Sequence, residues 1–338
     1  MRFPPGKVPP KALTDIVFKH LGAERPDVLL GPSHGEDAAI VRSGKQLLAF
    51  SCDPISGALD RIGMLSVHVT TNDVATRGVK PSWFLSCIML PEGSGENVLL
   101  TICRQMGRAA KKIGVSIVGG HSETTPGLNH PVVIGFAAGV VGRRGFVSCS
   151  GARPGGKIVL TKGVGIEGTG ILASDRTGLL AKRFGRGFLS EARKFSAMTS
   201  VVEDALIAFN SGRVQAMHDP TEGGVAGGLN EMATASRTGF RVYEDSIEVA
   251  PETEKVCKFF KVDPLRLVSS GSLLVVAEEK SAATIVTRLR RKGIRAAVIG
   301  EVLSNRTRRI LVRGDGREEN LPLLCADELW AALRRPYG

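Results

Sequence analysis

Short apolar runs alternate with longer amphipathic segments along almost the whole 338-residue chain, and this alternation limits the possible folds more than any other feature. Runs such as AAIVR (38–42) have the length and the β-branched composition of strands. Segments such as NVLLTICRQMGRAAKKIG (97–114) repeat apolar residues at helical spacing and end on basic residues. The pattern predicts an α/β or α+β protein in which each half carries a sheet with helices packed on it.

The predicted elements fall on either side of a turn-rich connector, SCSGARPGGK (148–157). Those before the connector are helices over 11–22, 62–78 and 97–114, and strands over 38–42, 45–52, 82–89, 115–120 and 131–141. Those after it are helices near 168–184, 199–211, 222–236 and 280–293, and strands near 157–162, 214–218, 240–249, 272–278 and 296–302. We therefore expect two domains, residues 1–152 and 153–338.

The composition excludes several classes of protein. A content of 43% apolar and 23% charged residues is typical of globular domains. The six cysteines are widely spaced without a C-x-x-C pair, which argues against a zinc ribbon or a disulfide framework and fits a reducing compartment. The first residues carry prolines and charges where a signal peptide needs an apolar core, and the longest apolar run (131–142) is too short to span a bilayer. We expect a cytoplasmic protein with no membrane partner.

The net charge of +12 raises the question of a nucleic-acid partner. The excess is concentrated in three segments, 176–188, 288–295 and 306–317. The first two are typical of solvated helical surfaces and the third of a hairpin. RNA binding therefore stays an alternative that rests on charge alone, and the sequence does not favour it.

Two glycine-rich segments match the letters of phosphate-binding motifs without their context. GARPGGK (151–157) is followed by Ile158 and leads into a predicted strand, whereas a P-loop leads from a strand into a helix. GVGIEG (163–168) follows a predicted strand, but no acidic residue ends a second strand to hold a ribose. We interpret the first as a connector and the second as close packing of a strand on a helix.

Acidic and imidazole side chains recur at the boundaries of predicted strands. One such residue alone is more often a helix cap or a turn former. Five occurrences together indicate oxygen ligands for Mg²⁺, whose coordination phosphate oxygens usually complete. Glycine pairs beside two of the five would let the backbone approach phosphate, and a helix that opens near Glu222 offers free N–H groups. The five positions are Glu36-Asp37, Asp53, Asn72-Asp73, His121 with Glu123, and His218-Asp219.

These segments resemble the superfamily related to aminoimidazole ribonucleotide (AIR) synthetase, which includes thiamine-monophosphate kinase, selenophosphate synthetase and the hydrogenase-maturation protein HypE. The motifs that match in order along nearly the whole chain are GEDAA, SCDP, TNDVATRGVKP, VGGHSET, GARPGGKIVLTKGVGIEGT, MHDPTEGGVAGGLNE and VSSGSLLVV. HDPTEGGVAGGLNE is most similar to HypE. The resemblance implies an N-terminal ferredoxin-type α/β domain that forms a barrel across a homodimer, and a C-terminal α/β sandwich. It also implies ATP and Mg²⁺ as cofactors, and a small-molecule substrate or a partner maturation protein.

Carried over residue by residue, the resemblance assigns three groups of candidate site residues. The metal ligands are Asp37, Asp53 and Asp73. The cofactor-binding residues are Asn72, Gly119, Gly120, Ser122, Asp219, Gly223 and Gly224. The catalytic candidates, which would move protons or position the acceptor, are His121, Glu123 and His218.

Two departures from the family pattern separate this sequence from HypE itself. HypE ends in Pro-Arg-Ile-Cys, whose cysteine carries the carbamoyl group, whereas this sequence ends RRPYG, with Cys325 at the start of a predicted helix. Close relatives have Gly-Gly-Asp-Thr, followed in HypE by Lys, whereas His121 and Glu123 stand at those places here. The sequence therefore predicts a HypE-like paralogue.

Two main functional hypotheses follow. The first is an ATP- and Mg²⁺-dependent enzyme that phosphorylates or activates an oxygen on a small molecule or a partner's group. The second is a nucleotide-binding maturation factor or sensor without turnover, suggested by the altered VGGHSET segment and the missing cysteine. The acidic residues favour the enzyme, because a scaffold has no use for a costly cluster of carboxylates.

Overall fold

The computed structural model describes Phe3 and residues 6–56, 60–322 and 327–334, so Cys325 and residues 335–338 lie outside the described residues. The chain forms two compact units. The N-terminal unit comprises Arg25–Pro32 and Asp37–Phe146. The C-terminal unit comprises the described residues of Met1–Glu24, Ser33–Glu36 and Val147–Gly338. The predicted two-domain α/β fold is confirmed.

The C-terminal unit resumes at Val147, and the segments before residue 37 are divided between the two units, while the division at residue 152 stays a prediction. Glu36 belongs to the C-terminal unit, where its two carboxylate oxygens each accept a 3.1 Å hydrogen bond, from the backbone N–H groups of Cys149 and Ser150. A carboxylate that accepts two backbone hydrogen bonds fixes its own chain segment against the segment that donates them.

The predicted helix over 11–22 is too long. Helix α1 spans Pro10–Asp15, and a 3₁₀ turn at Val17–Lys19 follows it. No residue of α1 is buried. A short helix without an apolar face packed on a core gains little from tertiary contacts, so the chain leaves helical geometry at Ile16, where φ is −119° and ψ is −66°.

The N-terminal unit is built on one six-stranded sheet with two helices. The order of the strands is β1-β2-β3-β6-β4-β5, and every neighbouring pair is antiparallel except β4 and β5. The predicted hairpin around Ser43-Gly44 is confirmed as the β2–β3 pair. The elements are β1 (Val28–Leu30), β2 (Ala39–Ser43), β3 (Gln46–Ile55), α2 (Ile62–Thr76), β4 (Trp83–Pro91), α3 (Glu96–Ile113), β5 (Ser116–Thr125) and β6 (Val132–Val140).

Helix α2 lies in the interior of this unit, in contact with β3 and β6 on the sheet and with α3. Nearly all of its residues are buried, polar and apolar alike, which is typical of a helix packed on more than one side. Helix α3 is amphipathic and buries Ile102, Met106 and Ala109 against the same core. The core therefore surrounds α2, and polar residues on α2 are shielded from water.

Three site segments lie inside their elements and not at strand boundaries, and the predicted helix over 62–78 already contained one of them. Strand β5 continues to Thr125, because β4 pairs with it in parallel as far as Pro91 opposite Thr125. His121 and Glu123 therefore lie within a strand. Asn72 and Asp73 lie in helix α2, near its last turn, and strand β3 continues two residues beyond Asp53.

The C-terminal unit contains a seven-stranded sheet of order β13-β12-β9-β11-β7-β10-β8, in which only the β12–β9 pair is parallel. The predicted helix near 168–184 is two helices, and the predicted strand near 240–249 ends at Tyr243. The basic segment 306–317 contributes to a hairpin, as predicted. The elements are β7 (Lys157–Thr161), α4 (Ile166–Asp175), α5 (Thr177–Lys194), α6 (Val202–Ser211), β8 (Val214–His218), α7 (Gly224–Ala235), β9 (Gly239–Tyr243), α8 (Pro251–Phe260), β10 (Leu274–Ala277), α9 (Glu279–Arg291), β11 (Ala296–Leu303), β12 (Arg309–Val312), β13 (Glu318–Asn320) and α10 (Glu328–Arg334).

Helix α7 packs directly on this sheet, with Val225, Leu229 and Met232 in the core cluster. Strand β8 leads into α7 through residues 219–223, so the end of the strand and the start of the helix are fixed by the same core. None of the helices formed by the described residues is long and apolar enough to cross a bilayer.

Candidate functional site

A buried serine brings two predicted metal ligands together in the N-terminal unit. Ser51 Oγ lies 2.5 Å from Asp73 Oδ2 and 3.3 Å from Asp53 Oδ2. A hydroxyl has a single hydrogen to donate, so the shorter contact with Asp73 is the stronger hydrogen bond. Asp53 and Asp73 therefore lie on either side of one hydroxyl, although 20 residues separate them in the sequence.

The local structure explains how this arrangement forms. Side chains two apart on a strand share a face, so Ser51 and Asp53 of β3 both point to the side on which α2 packs. Asp73 lies on α2 and is only 4% exposed. Burial of a carboxylate is costly unless donors or a cation compensate it, and the Ser51 hydroxyl supplies one donor.

The other two acidic-motif residues of this unit are close in the fold. Asp37 is half-buried and precedes β2, whose Ala39 lies opposite Phe50 of β3. The β2–β3 ladder ends at Ala39, so strand pairing does not fix the direction of the Asp37 side chain two residues earlier. Asn72 is completely buried beside Asp73.

The oxygen atoms of Asp53 and Asp73 are ligands of the kind that Mg²⁺ prefers. Asp53 and Asp73 offer hard carboxylate oxygens around one point, and Mg²⁺ in nucleotide sites is usually held by one or two carboxylates with waters and phosphate oxygens. Within the described residues, no three His, Cys, Asp or Glu side chains are gathered closely enough to hold a metal by themselves. Two carboxylates alone leave most of the coordination positions of Mg²⁺ to water and phosphate oxygens.

His121 and Glu123 form an exposed pair on β5. His121 Nε2 lies 3.2 Å from Glu123 Oε2, and Thr125 Oγ1 donates a 2.8 Å hydrogen bond to Glu123 Oε1. The hydrogen bond from Thr125, followed by that from His121, holds the pKa of Glu123 below its usual value. Both side chains of the pair are largely in contact with solvent, so the attraction between them is screened.

The sheet separates this pair from the buried carboxylates of the same unit. Residues opposite each other in a sheet share a face, and the register joins Asp53, Gly135, Ser86 and Gly120 in one row. His121 lies in the next row, with Cys87, Ile134 and Pro54, and therefore on the other face. Gly120 and Ser122 share the face of Asp53, whereas His121 and Glu123 do not.

Gly120 is required by the pairing of β4 with β5. A Cβ atom at this position would lie 2.1 Å from the backbone oxygen of Ser86, which no side chain could tolerate. Its φ of 153° lies in a region that side-chain-bearing residues rarely adopt. The predicted role of the Gly119-Gly120 pair in approaching phosphate is compatible with this backbone, but packing alone already demands glycine at position 120.

In the C-terminal unit, His218 ends β8 and faces a glutamate of α7. His218 Nε2 lies 2.7 Å from Glu231 Oε2, and the imidazole is almost completely buried. Because an ionised carboxylate only accepts hydrogen bonds, Nε2 carries the hydrogen of this bond. The bond fixes the ring orientation of His218, and Asp219, also buried, follows directly.

The turn between β8 and α7 is held by two further carboxylates. The backbone N–H of Gly223 donates a 2.6 Å hydrogen bond to Asp327 Oδ2, and the backbone N–H of Lys7 donates a 2.7 Å bond to Glu222 Oε2. Gly224 has a φ of 63° and approaches the backbone oxygens of residues 265 and 267 so closely that a Cβ would lie 2.6 Å from each. The N–H of Gly223, predicted to bind phosphate, is therefore occupied by a carboxylate in this structure.

Carboxylates near this turn influence one another. Burial, with a smaller contribution from the charge of Glu222, raises the pKa of Asp327 to about 6 against the opposing effect of three backbone N–H donors. Burial likewise raises the pKa of Glu167, with Asp327 and Glu222 adding to the effect. A phosphate group at this turn would meet negative charge unless a cation or a proton compensates it.

Three residues that the sequence interpretation omitted hold the predicted site residues in place. They are Ser51, Glu231 and Asp327. Period-two alternation on β3 would have placed Ser51 on the face of Asp53. No sequence signal links Glu231 to His218 or Asp327 to Gly223, because those contacts exist only after distant segments pack.

Two family models match the chain. The model described as AIR synthase related protein, N-terminal domain, covers residues 35–141, and the model described as AIR synthase related protein, C-terminal domain, covers residues 153–312. Among curated proteins, the carbamoyl dehydratase HypE of Rhizobium leguminosarum bv. viciae is 30% identical over 277 residues, which is 78% of this chain and 77% of that protein.

Solved structures share the fold. A HypE–HypF complex contains a chain that superposes with a TM-score of 0.78 at 24% identity, covering 93% of this chain and all of that one. The hydrogenase maturation protein HypE in complex with ATP superposes with a TM-score of 0.70 at 24% identity, covering 98% of both chains. At this level of identity the two structures establish the architecture of the chain.

Proposed function

Because the chain belongs to the AIR synthase related protein family, we propose that it is an ATP- and Mg²⁺-dependent enzyme that phosphorylates or activates an oxygen. The acceptor oxygen belongs to a small molecule or to a group on a partner protein. A curated relative is a carbamoyl dehydratase, and a structural relative is described in complex with ATP. These descriptions support the nucleotide and leave the acceptor of this chain open.

One observation carries the proposal: the half-buried Asp53 and the buried Asp73 converge on the buried hydroxyl of Ser51. Asp53 and Asp73 would hold Mg²⁺, with Asp37 as a third ligand and Asn72 beside them. The metal would neutralise charge on the transferred phosphate. Ser51 orients Asp73, so the carboxylate has little freedom to lose when a cation binds.

The remaining predicted residues have supporting roles in this proposal. His218, oriented through Nε2 by Glu231, would hold or move a proton at its other ring nitrogen, Nδ1, or position the acceptor. Gly119, Gly120, Ser122, Asp219, Gly223 and Gly224 would lie near phosphate, which requires Asp327 to release the Gly223 N–H. His121 and Glu123 would act from the exposed face of β5.

We also propose that the chain forms a homodimer through β5. This strand ends the order of its sheet, and its Ile117 and Val118 are 41% and 54% exposed. On the neighbouring strand, Trp83 and Leu85 expose apolar surface as well. An unpaired edge with exposed apolar side chains favours pairing with another chain. A maturation protein as a further partner is suggested by the HypE–HypF complex.

The first experiment is thermal unfolding of the wild type and of Asp73→Asn, with and without ATP and MgCl₂. A ligand that binds only the folded state stabilises it, by about 2.7 kcal/mol at one hundred times its Kd. We expect ATP with Mg²⁺ to raise the midpoint of the wild type and not of Asp73→Asn. Asp60→Asn, which alters an exposed carboxylate of the same unit, is the control and should keep the rise.

A wild type whose midpoint is indifferent to millimolar ATP and Mg²⁺ would overturn the proposal. If the midpoint rises but no product forms with any acceptor, the non-catalytic maturation factor or sensor becomes the better description. RNA binding is the remaining alternative, and it requires an affinity that falls steeply with salt and is unchanged in Asp73→Asn.

A further inference from the structure

Arg77, at the end of α2, is the largest of the completely buried side chains among the described residues, with 0% exposure. Cationic side chains are almost never removed from water in this way unless the fold gives them a specific partner. Arg77 follows Asn72 and Asp73 by one helical turn, so a permanent positive charge lies in the interior that holds the carboxylates. The roles proposed above make no use of it.

A chain of hydrogen bonds connects the guanidinium to Asp73. Arg77 Nη2 donates a 3.1 Å hydrogen bond to Thr76 Oγ1, and Thr76 Oγ1 donates a 2.8 Å bond to the backbone oxygen of Asp73. The Thr76 hydroxyl thus uses its one hydrogen on Asp73 and a lone pair on Arg77. Two hydrogen bonds therefore link the guanidinium to the backbone oxygen of Asp73, the residue whose carboxylate accepts a hydrogen bond from Ser51.

Arg77 lies close to Asp73 along the helix. It is the capping residue after Thr76, and its backbone N–H still donates to the oxygen of Val74, so it follows Asp73 by one turn on the same side of the helix. Both side chains are shielded from water, at 0% and 4% exposure. Charges interact more strongly in such an interior than in solvent, so Arg77 affects any ion that binds at Asp73.

We propose that Arg77 is a positioning residue that supplies a fixed positive charge beside the Asp53–Asp73 pair. This charge sets the relative affinity of the site for free cation and for nucleotide phosphate. This inference rests on the nucleotide site proposed above. The charge of Arg77 repels free Mg²⁺ and attracts the phosphates of ATP, so the carboxylates bind metal weakly until it arrives with nucleotide. A purely structural arginine would affect both ligands in the same direction or neither.

The test is isothermal titration of two separate probes, MgCl₂ without nucleotide and ATP in the presence of EDTA. Arg77→Met removes the charge, and Arg77→Gln removes it while keeping a donor for Thr76, which provides a second neutral variant if Arg77→Met fails to fold. We expect the neutral variants to bind Mg²⁺ about tenfold tighter and metal-free ATP about tenfold more weakly than the wild type.

Two control variants separate the effect of the Arg77 charge on binding from an effect on folding. Arg77→Lys keeps the charge and should restore both affinities to within about threefold of the wild type. Arg104→Met removes a positive charge from the exposed side of α3 and should change neither affinity.

The outcomes distinguish this inference from the function on which it rests. If the wild type binds both probes but the neutral variants shift both affinities in one direction, or shift neither, the role of Arg77 is wrong and the nucleotide site stands. If the wild type binds neither metal-free ATP nor ATP with Mg²⁺, the proposed function fails and the inference with it. If the affinities for Mg²⁺ and for metal-free ATP shift in opposite directions in the neutral variants, and Arg77→Lys restores both, the result supports the role of Arg77 and the proposed nucleotide site.

Discussion

The Ser51 hydroxyl donates a 2.5 Å hydrogen bond to Asp73 Oδ2, and this bond joins β3 to α2 inside the N-terminal unit. Ser51→Ala would leave a buried carboxylate without that donor. We expect the free energy of unfolding at pH 7 to fall by about 2 kcal/mol, as for hydrogen bonds to charged groups. Urea denaturation measures the change. Ser43→Ala, at an exposed position of the same unit, should stay within about 0.5 kcal/mol of the wild type, and equal losses in the two variants would contradict the assignment.

The buried His218–Glu231 contact should be energetically coupled, whereas the exposed His121–Glu123 contact should not. We expect a double-mutant cycle with His218→Gln and Glu231→Gln to give a coupling energy of about 1–3 kcal/mol. The same substitutions at His121 and Glu123, measured at protein concentrations that keep the chain monomeric, should give less than about 1 kcal/mol, because solvent screens that pair in the monomer. Similar coupling in both cycles would show that burial does not strengthen the contact as argued.

Lys162 and Asp204 form a shielded ion pair in the C-terminal unit, with 3.2 Å between Nζ and Oδ1. Lys162 also donates to the backbone oxygens of residues 198 and 200. Asp204→Ala would leave a buried ammonium without its counter-charge, so we expect a loss of about 3–5 kcal/mol in chemical denaturation.

The control for this pair is Glu191→Ala, which breaks the exposed Lys194–Glu191 pair on α5. Exposed pairs contribute less than about 1 kcal/mol, so this variant should unfold close to the wild type. A small loss for Asp204→Ala would mean that the backbone acceptors around Lys162 suffice by themselves.

The raised pKa of Asp327, about 6 in the fold, makes stability depend on pH in a defined direction. A raised pKa means that the folded state binds the proton more tightly than the unfolded state does, whose usual Asp value is 3.8. The penalty of the buried carboxylate is therefore fully present above pH 6 and relieved as the pH falls from about 6 toward 4. The wild type should gain stability relative to Asp327→Asn over this range, by on the order of 3 kcal/mol.

Urea denaturation of both proteins between pH 8 and pH 4 checks this prediction. Asp315→Asn is the control of opposite sign, because backbone and side-chain hydrogen bonds from Arg317 lower the pKa of Asp315. The stability that Asp315 contributes is lost only below its usual pKa of 3.8, so the wild type should lose stability relative to that variant only when the series is extended below pH 4. A pH-independent difference between the wild type and Asp327→Asn would show that the carboxyl is not held in a shielded site.

The sequence predicted correctly those elements in which the spacing of apolar residues and the flanking capping or turn residues indicate the same bounds. Helix α3 has apolar residues at helical spacing and ends before Gly114 in the left-handed conformation, and its predicted and observed bounds agree within a residue. The predicted length of α1 is wrong, because its residues with helical spacing have no core to pack on. The predicted strand over 115–120 is shorter than β5. Gly119-Gly120 is typical of a turn, whereas pairing with β4 continues the strand beyond these two glycines.

Local patterning and the family motifs therefore determined the two-domain α/β class, most of the elements and the residues Asp37, Asp53 and Asp73 as site candidates. Only the tertiary structure decided that Ser51 joins Asp53 to Asp73, that Glu231 orients His218 and that Asp327 occupies the N–H of Gly223. It also placed His121 and Gly120 on opposite faces of one sheet and buried the charge of Arg77. These relationships depend on strand register and on packing between distant segments, which no local sequence pattern encodes.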